Sequence, residues 1–502
     1  MKWINLISFL VLYVSLHVNC RHNFVIILTD DQDVLLGSMA AMNRTTELLS
    51  GHGATFSNAY TNSPICCPSR SAILTGKYVH NVYVKNNSIS GNCSSPSWQK
   101  NFEPYSLANI LKSKGDYNTF YGGKYLNQYG SKEAGGITHV PLGYDWWIGL
   151  EGNSRYYNYT LSINGTGKYF GDEYLTDLLK SYALDFLNQE HIKRNPFFMM
   201  VSPPASHAPF TPAPRHKGIF DGMKAPRPIS FNFSSPDKHW LVTMPPKHLP
   251  TDVSSLDIIH QSRLETLLAV DEMVVDIFEK LKEIGVLDDT YVILTSDHGF
   301  HIGEFAQPWD KRQPYETDIK VPLMIRGPNI PIKTITEPIS LVDLAATIIH
   351  LATGNCPQNM DGKSFAEALT RSKTEKSLQP TYLFIEYYGE GQSEYIDDGC
   401  PYSEDLSECS LSNWCKCQDS RNNTYTCVKY IMENINLKYC RFYDDVGFRE
   451  AYDLVKDPFE MINIYSKLNT ELIQHLENAI DKYLNEPPPT VDDSVEVLLQ
   501  SF

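Results

Sequence analysis

Beyond its first twenty residues, the 502-residue sequence contains no apolar run that is long enough to span a membrane. It also lacks internal repeats, low-complexity tracts and runs of like charges, which argues against a repeat protein and against a disordered chain. The remaining composition, with 42% apolar and 20% charged residues, is ordinary for a globular protein. A chain of this length is expected to bury a large core and to form two domains.

Positive charge is scarce, because 43 Lys and Arg residues stand against 59 Asp and Glu residues and give a formal net charge of −16. This balance argues against a nucleic-acid partner, since proteins that bind extended polyanions carry a basic patch or stripe. Any anion site must therefore be built from a few local cations. An acidic chain also suits an acidic compartment, where protonation of carboxylates reduces self-repulsion.

The N-terminal segment has the pattern of a secretory signal. Lys2 precedes the apolar stretch 4–18, and a polar Asn-Cys-Arg triplet at 19–21 is suited to cleavage near Cys20. A membrane anchor is the alternative, but the stretch is short for one. We expect residues 1–20 to be removed and the rest to be a soluble lysosomal or secreted protein with no membrane partner. Seven Asn-x-Ser/Thr triplets agree and predict surface glycans: Asn43, Asn86, Asn92, Asn158, Asn164, Asn232 and Asn422.

Cysteine is rare except in one stretch, where six of the eleven lie between residues 400 and 440. In an oxidising compartment this crowding predicts a lobe held by disulfide bonds, whose connectivity the sequence leaves open. A zinc site is the alternative, but Cys415 and Cys417 are separated by one residue rather than by the usual two. Elsewhere, Cys93 and Cys356 are candidates for a further pair, which would leave Cys67 as the free thiol.

Short apolar runs alternate with helical patterns, which predicts a doubly wound α/β domain. The buried-strand candidates are 23–28, 196–201, 290–295 and 321–325. Apolar residues at helical spacing predict helices over 264–281, 340–351 and 472–484. Residues 223–250, rich in Pro, Ser and aromatics without periodicity, are expected to form a long surface loop. After about residue 364 the alternating strand and helix patterns give way to a Cys-rich stretch. This change predicts a main domain over 21–364 and a smaller, Cys-rich domain over 365–502.

The most informative motif is the run Cys66-Cys67-Pro68-Ser69-Arg70, which is followed by Leu-Thr-Gly-Lys at 74–77. It places a thiol, a rigid turn and a guanidinium together beside a predicted helix, a combination suited to nucleophilic catalysis. The alternative is a buried Cys pair with a Pro at the start of a helix and an Arg on the surface.

Two predicted strands end in side chains that can bind a metal. Asp30 and Asp31 follow the first strand, and Asp297 and His298 follow the strand over 290–295. Ligands in open α/β sheets bind at the carboxyl ends of the strands. Three carboxylates in one cleft would repel unless a cation joined them, and oxygen ligands favour calcium or magnesium. The alternative is that the Asp pair caps the next helix.

The motif at Cys66 resembles the signature of the sulfatase family, Cys-x-Pro-Ser-Arg with a downstream Leu-Thr-Gly. The resemblance implies that a formylglycine-generating enzyme converts Cys66 to formylglycine, whose hydrated aldehyde attacks sulfur. It also implies an alkaline-phosphatase-like, doubly wound α/β domain over 21–364 with catalytic function, a smaller C-terminal α+β domain, and one calcium ion. The implied metal ligands are Asp30, Asp31, Cys66, Asp297 and His298. The implied catalytic residues are Cys66, Arg70, Lys124, His207 and Lys311.

The resemblance also assigns roles to these side chains. Arg70 would hold the aldehyde hydrate, Lys124 and Lys311 would bind sulfate, and His207 would donate a proton to the leaving alcohol. His298 stands where many members have Asn, so its ring could bind either the metal or a sulfate oxygen. Many members have a His two residues after the first of these lysines, but this sequence has Leu126 with Asn127 beside it. An Asn forms hydrogen bonds but cannot relay a proton.

Within the family, the sequence is similar to enzymes that remove the 6-O-sulfate from N-acetylglucosamine residues of heparan or keratan sulfate. The similar stretches include 28–33, 66–78, 123–127, 156–165 and 310–313. Extracellular endo-acting sulfatases share many of these motifs but carry a long basic insertion, which this acidic sequence lacks. An exo-acting enzyme on sulfated glycosaminoglycans is therefore expected. The alternatives are an endo-acting heparan sulfate 6-O-sulfatase, a metal-assisted phosphatase and a catalytically silent secreted glycan binder.

Overall fold

The computed structural model describes residues 21–371, 380–391, 399–400, 405–409 and 415–485. The predicted signal segment lies outside these residues. No helix in the described ranges has both the length and the apolar character needed to cross a membrane.

A ten-stranded sheet forms the centre of the main domain. In chain order, the strands of this domain are β1 (Asn23–Thr29), β2 (Ala54–Phe56), β3 (Ala59–Tyr60), β4 (Asn118–Lys124), β5 (Trp146–Leu150), β6 (Tyr159–Ile163), β7 (Thr166–Phe170), β8 (Phe197–Ser202), β9 (Thr290–Ser296), β10 (Leu323–Arg326), β11 (Lys333–Ile335) and β12 (Ile339–Ser340). The order across the sheet is β11-β2-β10-β9-β1-β8-β4-β5-β6-β7, while β3 pairs with β12. The strands β9, β1, β8, β4 and β5 run parallel. Their carboxyl ends therefore meet at one edge.

Both faces of the sheet are covered, which explains why all seven residues of β1 are buried. Phe24, Ile26 and Leu28 enter one core, whereas Val25 and Ile27 enter the other, as the two-residue period of a strand requires. The strand predicted over 321–325 is β10, which runs antiparallel to β9 because no long crossover helix separates them.

Helices cover both cores. In chain order they are α1 (Asn43–Ser50), α2 (Cys66–Thr75), α3 (Val79–Val82), α4 (Pro96–Asn101), α5 (Leu107–Gly115), α6 (Leu175–Leu187), α7 (Trp240–Thr243), α8 (Ser254–Glu283), α9 (Glu316–Ile319), α10 (Asp343–Thr353), α11 (Ala366–Thr370) and α12 (Thr470–Asn485). The three helices predicted from periodicity are α8, α10 and α12, and α8 is longer than its apolar stripe indicated. Residues 223–250 form the expected long irregular segment, with only α7 inside it.

A smaller antiparallel sheet lies in the C-terminal part. Its strands are β13 (Thr381–Tyr387), β16 (Tyr425–Met432), β17 (Ile435–Phe442) and β18 (Arg449–Asp453), and the short strands β14 (Leu406–Ser407) and β15 (Asp419–Ser420) pair separately. Leu472, Leu476 and Ile480 of α12 cover one face of the four-stranded sheet. Its other face packs against Tyr60 and Ile319 of the main domain. The placement of the domain boundary at residue 364 stays a prediction.

The disulfide bonds correct one expectation. Cys67 pairs with Cys93, whereas Cys356 is an exposed free thiol, so the predicted Cys93–Cys356 pair and the free Cys67 were wrong. Successive residues of a helix point about 100° apart, so Cys67 faces the loop that carries Cys93 while Cys66 faces elsewhere. The predicted disulfide-bonded lobe is confirmed by three bonds: Cys400–Cys417, Cys409–Cys415 and Cys427–Cys440.

Candidate active site

The Cys66 motif lies in the interior because it forms the helix α2, all ten residues of which are buried. Ile65 is extended and precedes the first turn, and Gly76 ends the helix at φ 65°, in the left-handed region that favours glycine. The backbone N–H of Cys67 donates to Asn87 Oδ1 at 2.9 Å, which satisfies one of the free donors of the first turn. These contacts fix Cys66 at the N-terminal end of a rigid helix.

Four predicted ligands meet at this point. One ligand atom each from Asp30, Asp31, Cys66 and His298 lies within 4.8 Å of the other three. Cys66 Sγ is 3.4 Å from His298 Nε2 and 3.8 Å from Asp30 Oδ1. The four side chains come from the end of β1, the start of α2 and the end of β9, so the parallel strands bring together residues that are far apart in sequence.

Asp297 lies beside this group but is turned toward Arg70. Its Oδ2 accepts a hydrogen bond from Arg70 Nε at 2.8 Å, and its Oδ1 accepts one from the Asp31 N–H at 3.2 Å. His298 Nε2 is 3.7 Å from Asp297 Oδ1. Asp297 therefore connects Arg70 to the four-ligand group.

The residues of this cluster fit a hard cation. Asp31 Oδ1 is buried and has no hydrogen-bond donor, although it faces the other ligand atoms. An orphaned carboxylate oxygen costs free energy unless a cation or donor satisfies it. Asp31 also has a positive φ of 58°, an uncommon conformation that Asp adopts more readily than most residues and that directs this carboxylate into the cluster. Two carboxylates and an imidazole form a donor set that a divalent ion can use.

Three buried cations surround the carboxylates. Lys124 Nζ donates to both oxygens of Asp30, at 3.0 and 2.7 Å. Lys311 Nζ donates to Asp31 Oδ2 at 3.0 Å. Arg70 Nη1 donates to the Lys124 carbonyl at 2.8 Å, and Nη2 lies 3.4 Å from Asp30 without a hydrogen bond. The site thus concentrates the positive charge that the chain otherwise lacks.

A glycine allows Lys124 to reach Asp30. Gly123 has a φ of 109°, and a Cβ at this position would lie 2.0 Å from the Ser202 carbonyl oxygen of β8. Only glycine combines this conformation with so close an approach of two strands.

The charges of the cluster shift the pKa values of its members. Burial would raise the pKa of the Cys66 thiol, but Lys124 and Lys311 hold it well below its usual range. Burial also opposes ionisation of Asp31, yet Lys311 and the neighbouring histidines lower its pKa to about 2. The environment of residue 66 therefore stabilises a negative charge on its side chain.

His207 approaches the cluster from the loop after β8. This loop is joined to Asp30 by two backbone hydrogen bonds, Asp30 N–H to Ala205 O at 2.8 Å and Ser206 N–H to Asp30 O at 2.6 Å. His207 Nδ1 donates to the Ala208 carbonyl at 2.6 Å, which fixes the ring. Burial would lower the pKa of His207, but Asp31 and Asp30 raise it above the ordinary value. The protonated form of this buried ring is thus favoured.

Sequence reasoning missed two residues of the site. Ser154 Oγ donates to Asp30 Oδ2, and Asn87 holds the start of α2. Both lie in loops without periodicity, and the glycosylation triplet that contains Asn87 gives no signal for a role in the site. Leu126 is part of the hydrophobic core, and Asn127 has a buried Oδ1 without a hydrogen-bond partner.

Comparisons with known proteins agree with this geometry. A family model described as Sulfatase matches residues 22–354. N-acetylglucosamine-6-sulfatase of Capra hircus is 45% identical, over 90% of this chain and 81% of the relative. An extracellular sulfatase homologue of Caenorhabditis elegans is 41% identical, over 72% of this chain and 51% of the relative.

A solved structure of a protein in complex with its substrate D-glucosamine-2-N,6-O-disulfate shares the fold. Its TM-score is 0.71 at 23% identity, and the match covers 94% of this chain and all of that one. This confirms the predicted α/β fold with a smaller C-terminal antiparallel sheet. The extent of the family match and the identity to curated relatives show that the chain belongs to the sulfatase family of sulfuric ester hydrolases.

Proposed function

We propose that this sulfatase removes the 6-O-sulfate from N-acetylglucosamine residues at the ends of heparan or keratan sulfate chains. The observation that carries the proposal is the position of residue 66, buried between Asp30, His298 and the lysines Lys124 and Lys311. Relatives that are 44–45% identical over most of both chains bear the name of this activity.

Residue 66 would act after conversion of Cys66 by a formylglycine-generating enzyme. Once hydrated, formylglycine supplies one hydroxyl that attacks sulfur, with cleavage of the bond from sulfur to the sugar oxygen, and a second hydroxyl that then expels sulfate by C–O cleavage. The low pKa that Lys124 and Lys311 impose on the present thiol indicates that the same surroundings would stabilise an oxyanion at this position.

The cation that fits the cluster would be calcium. Asp30, Asp31, His298 and residue 66 would hold it, with Asp297 adjacent. When bound, calcium supplies positive charge that polarises sulfate oxygens. In the absence of a cation, burial would lower the pKa of His298, but Asp297 raises it to about 9, so metal binding at neutral pH would release a proton from the ring.

The other side chains would bind and protonate the substrate. Lys124 and Lys311 carry ammonium groups on two sides of the cluster and would bind sulfate oxygens, while Arg70 would orient residue 66. His207 would donate a proton to the sugar oxygen as it leaves, because its raised pKa favours the protonated ring. Residues 21–364 would form the catalytic domain of a protein located in the lysosome or secreted.

An exo-acting enzyme is favoured over an endo-acting one. The glucosamine-6-sulfatase relative is 45% identical over 90% of this chain, whereas the extracellular sulfatase homologue is 41% identical over 72% of it. This protein's net charge of −16 also disfavours binding along an extended polyanionic chain, as an endo-acting enzyme requires.

Three measurements test the proposal on the purified, secreted protein. The mass of the peptide containing residue 66 should show an aldehyde rather than a thiol. N-acetylglucosamine-6-sulfate should release inorganic sulfate, and Cys66→Ala should abolish this release. Removal of divalent ions with a chelator should abolish it as well, and calcium should restore it. A thiol at position 66 in an active preparation would overturn the formylglycine mechanism, and a phosphate ester hydrolysed faster than its sulfate counterpart would favour a phosphatase.

A further inference from the structure

A cavity of about 450 Å³ has no role in the mechanism above. Its polar lining includes Ser88, Ser90, Gln128, Tyr129, Glu133 and Glu151. Its volume lies within the range of pockets that bind small organic ligands.

Each wall of the cavity continues into a loop that holds the active site. The loop with Ser88 follows Asn87, which binds the N-terminus of α2. The loop with Gln128 follows Lys124 at the end of β4, and the loop with Glu151 leads to Ser154, which donates to Asp30. The cavity is therefore formed by loops that also carry contacts of the active site.

Hydrogen bonds connect the walls of the cavity to one another. The Ile89 N–H donates to Gln128 Oε1 at 2.7 Å, and the Gly152 N–H donates to the Tyr129 carbonyl at 2.8 Å. These bonds connect the loop of Ile89 to that of Gln128, and the loop of Tyr129 to that of Gly152. A pre-formed cavity of this kind binds without the entropic cost of ordering its walls.

The chemistry of the lining suits an uncharged sugar. Hydroxyl, amide and carboxylate groups can exchange hydrogen bonds with sugar hydroxyls. No Lys, Arg or His is part of the lining, and in the described part of the chain neither Glu133 nor Glu151 forms an ion pair. Two carboxylates without a counter-charge repel a uronate or a second sulfate.

We propose that this cavity binds the sugar unit linked to the sulfated glucosamine and that Glu133 and Glu151 select a neutral hexose over a uronate. The proposal rests on the function proposed above and narrows it. The preferred polymer would be one in which 6-sulfated N-acetylglucosamine is linked to a neutral hexose, as in keratan sulfate, rather than to a uronate, as in heparan sulfate.

The test compares three substrates by the rate of sulfate release: N-acetylglucosamine-6-sulfate alone, the same residue linked to galactose, and the same residue linked to glucuronate. For the wild-type protein we expect kcat/KM to be about tenfold higher for the galactose disaccharide than for the glucuronate one. Glu133→Gln combined with Glu151→Gln should bring this ratio close to one by accelerating the glucuronate substrate, while the monosaccharide rate stays unchanged.

Two controls keep the outcomes distinct. Glu173→Gln removes an exposed carboxylate outside the lining and should leave the ratio unchanged, and Glu133→Gln alone should give part of the effect if the double variant does not fold. A wild-type ratio below one, or a ratio that the lining variants do not change, would overturn the subsite. Failure of the wild type to hydrolyse the monosaccharide would instead overturn the proposed function.

Discussion

Lys311 and Arg312 are neighbours in sequence and equally buried, yet they belong to two charged clusters of opposite design. Lys311 is one of three cations that face three carboxylates in the active site. Arg312 lies among four carboxylates, with Asp310 at 2.8 Å, Glu408 at 2.7 Å, Asp419 at 3.8 Å and Glu390 in direct contact. The second cluster joins the C-terminal part of the chain to the main domain.

The two clusters differ in whether their polar atoms are satisfied. In the active site, Asp31 Oδ1 and Arg70 Nη2 are buried without hydrogen-bond partners. Among the described residues, neither Arg312 nor its four carboxylate neighbours have such an atom. The cluster with more carboxylates is therefore the weaker candidate for a metal site, because the planar guanidinium already occupies its centre. Unsatisfied atoms that converge on one point identify a site better than an excess of negative charge.

The largest contrast is expected between the adjacent residues Cys66 and Cys67. Cys66→Ala removes the proposed nucleophile and should lower kcat/KM by about 10⁴-fold or more, with little change in stability. Replacing Cys67 and Cys93 by Ala together removes the bond that closes a loop across 26 positions and should lower the free energy of unfolding by about 3 kcal/mol. Sulfate release and thermal unfolding of both variants measure the difference. Equal loss of stability in the two variants would show that residue 66 is structural.

The second contrast compares the removal of Lys311 with the removal of Arg312. Lys311→Ala should lower kcat/KM by about 10²–10³-fold, because the charge proposed to bind sulfate is lost from a buried site. Its thermal midpoint should fall less than that of Arg312→Ala, because only one buried carboxylate, Asp31, loses its cation. Arg312→Ala leaves four carboxylates without their cation and should destabilise the protein by about 3–5 kcal/mol. The secretion yield and the thermal midpoint measure the loss of stability in Arg312→Ala. The kcat/KM of folded Lys311→Ala measures the loss of activity. If Arg312→Ala secretes normally while Lys311→Ala does not, the assignment of the two clusters is reversed.

One carboxylate of each cluster, Asp419 and Asp31, should respond to pH with opposite sign. Burial raises the pKa of Asp419 to about 6, so the folded protein holds this proton more tightly than the unfolded chain does. The resulting stabilisation is present below the unfolded value near 4 and is lost as the pH rises through 6, by about 3 kcal/mol at most. Asp31 behaves in the opposite way, since its pKa of about 2 contributes stability that is present above 4 and lost as the pH falls through 2.

Asp419→Asn tests the first of these signs. The free energy of unfolding of this variant, relative to the wild type, should rise between pH 4 and pH 7, because the variant no longer has a carboxylate to ionise. Urea unfolding at several pH values in that window measures the difference. A relative stability that falls with pH would contradict the direction assigned to Asp419.

The sequence predicted which side chains meet at the candidate active site better than it predicted the residues around them. Asp30, Asp31 and His298 could be predicted because they follow strand patterns or match a motif, and parallel strands bring their ends to one edge. The Arg312 cluster was not predicted, because Glu390 and Glu408 come from irregular segments and Asp419 from a two-residue strand, and their positions depend on tertiary packing. The Cys93–Cys356 expectation failed for the same reason, since spacing alone does not show which way a side chain on a buried helix points.

The smallest contrast compares two hydroxyl groups that each donate to a buried carboxylate. Ser154 donates to Asp30 in the active site, and Tyr387 donates to Asp419 Oδ2 at 2.7 Å in the second cluster. Ser154→Ala should lower kcat/KM by about tenfold through misplacement of Asp30, with the thermal midpoint nearly unchanged. Tyr387→Phe should leave kcat/KM within about twofold and lower the free energy of unfolding by about 1–2 kcal/mol, because Asp419 loses a donor.

The same pair of variants separates a positioning role for Ser154 from a purely structural one. If Ser154 positions Asp30 for metal binding, more calcium should be needed for half-maximal activity of Ser154→Ala, and saturating calcium should recover most of the lost rate. Tyr387→Phe should show the wild-type calcium dependence, since its carboxylate partner binds an arginine rather than a metal. A loss of stability in Ser154→Ala without a change in calcium dependence would show that Ser154, like Tyr387, has only a structural role.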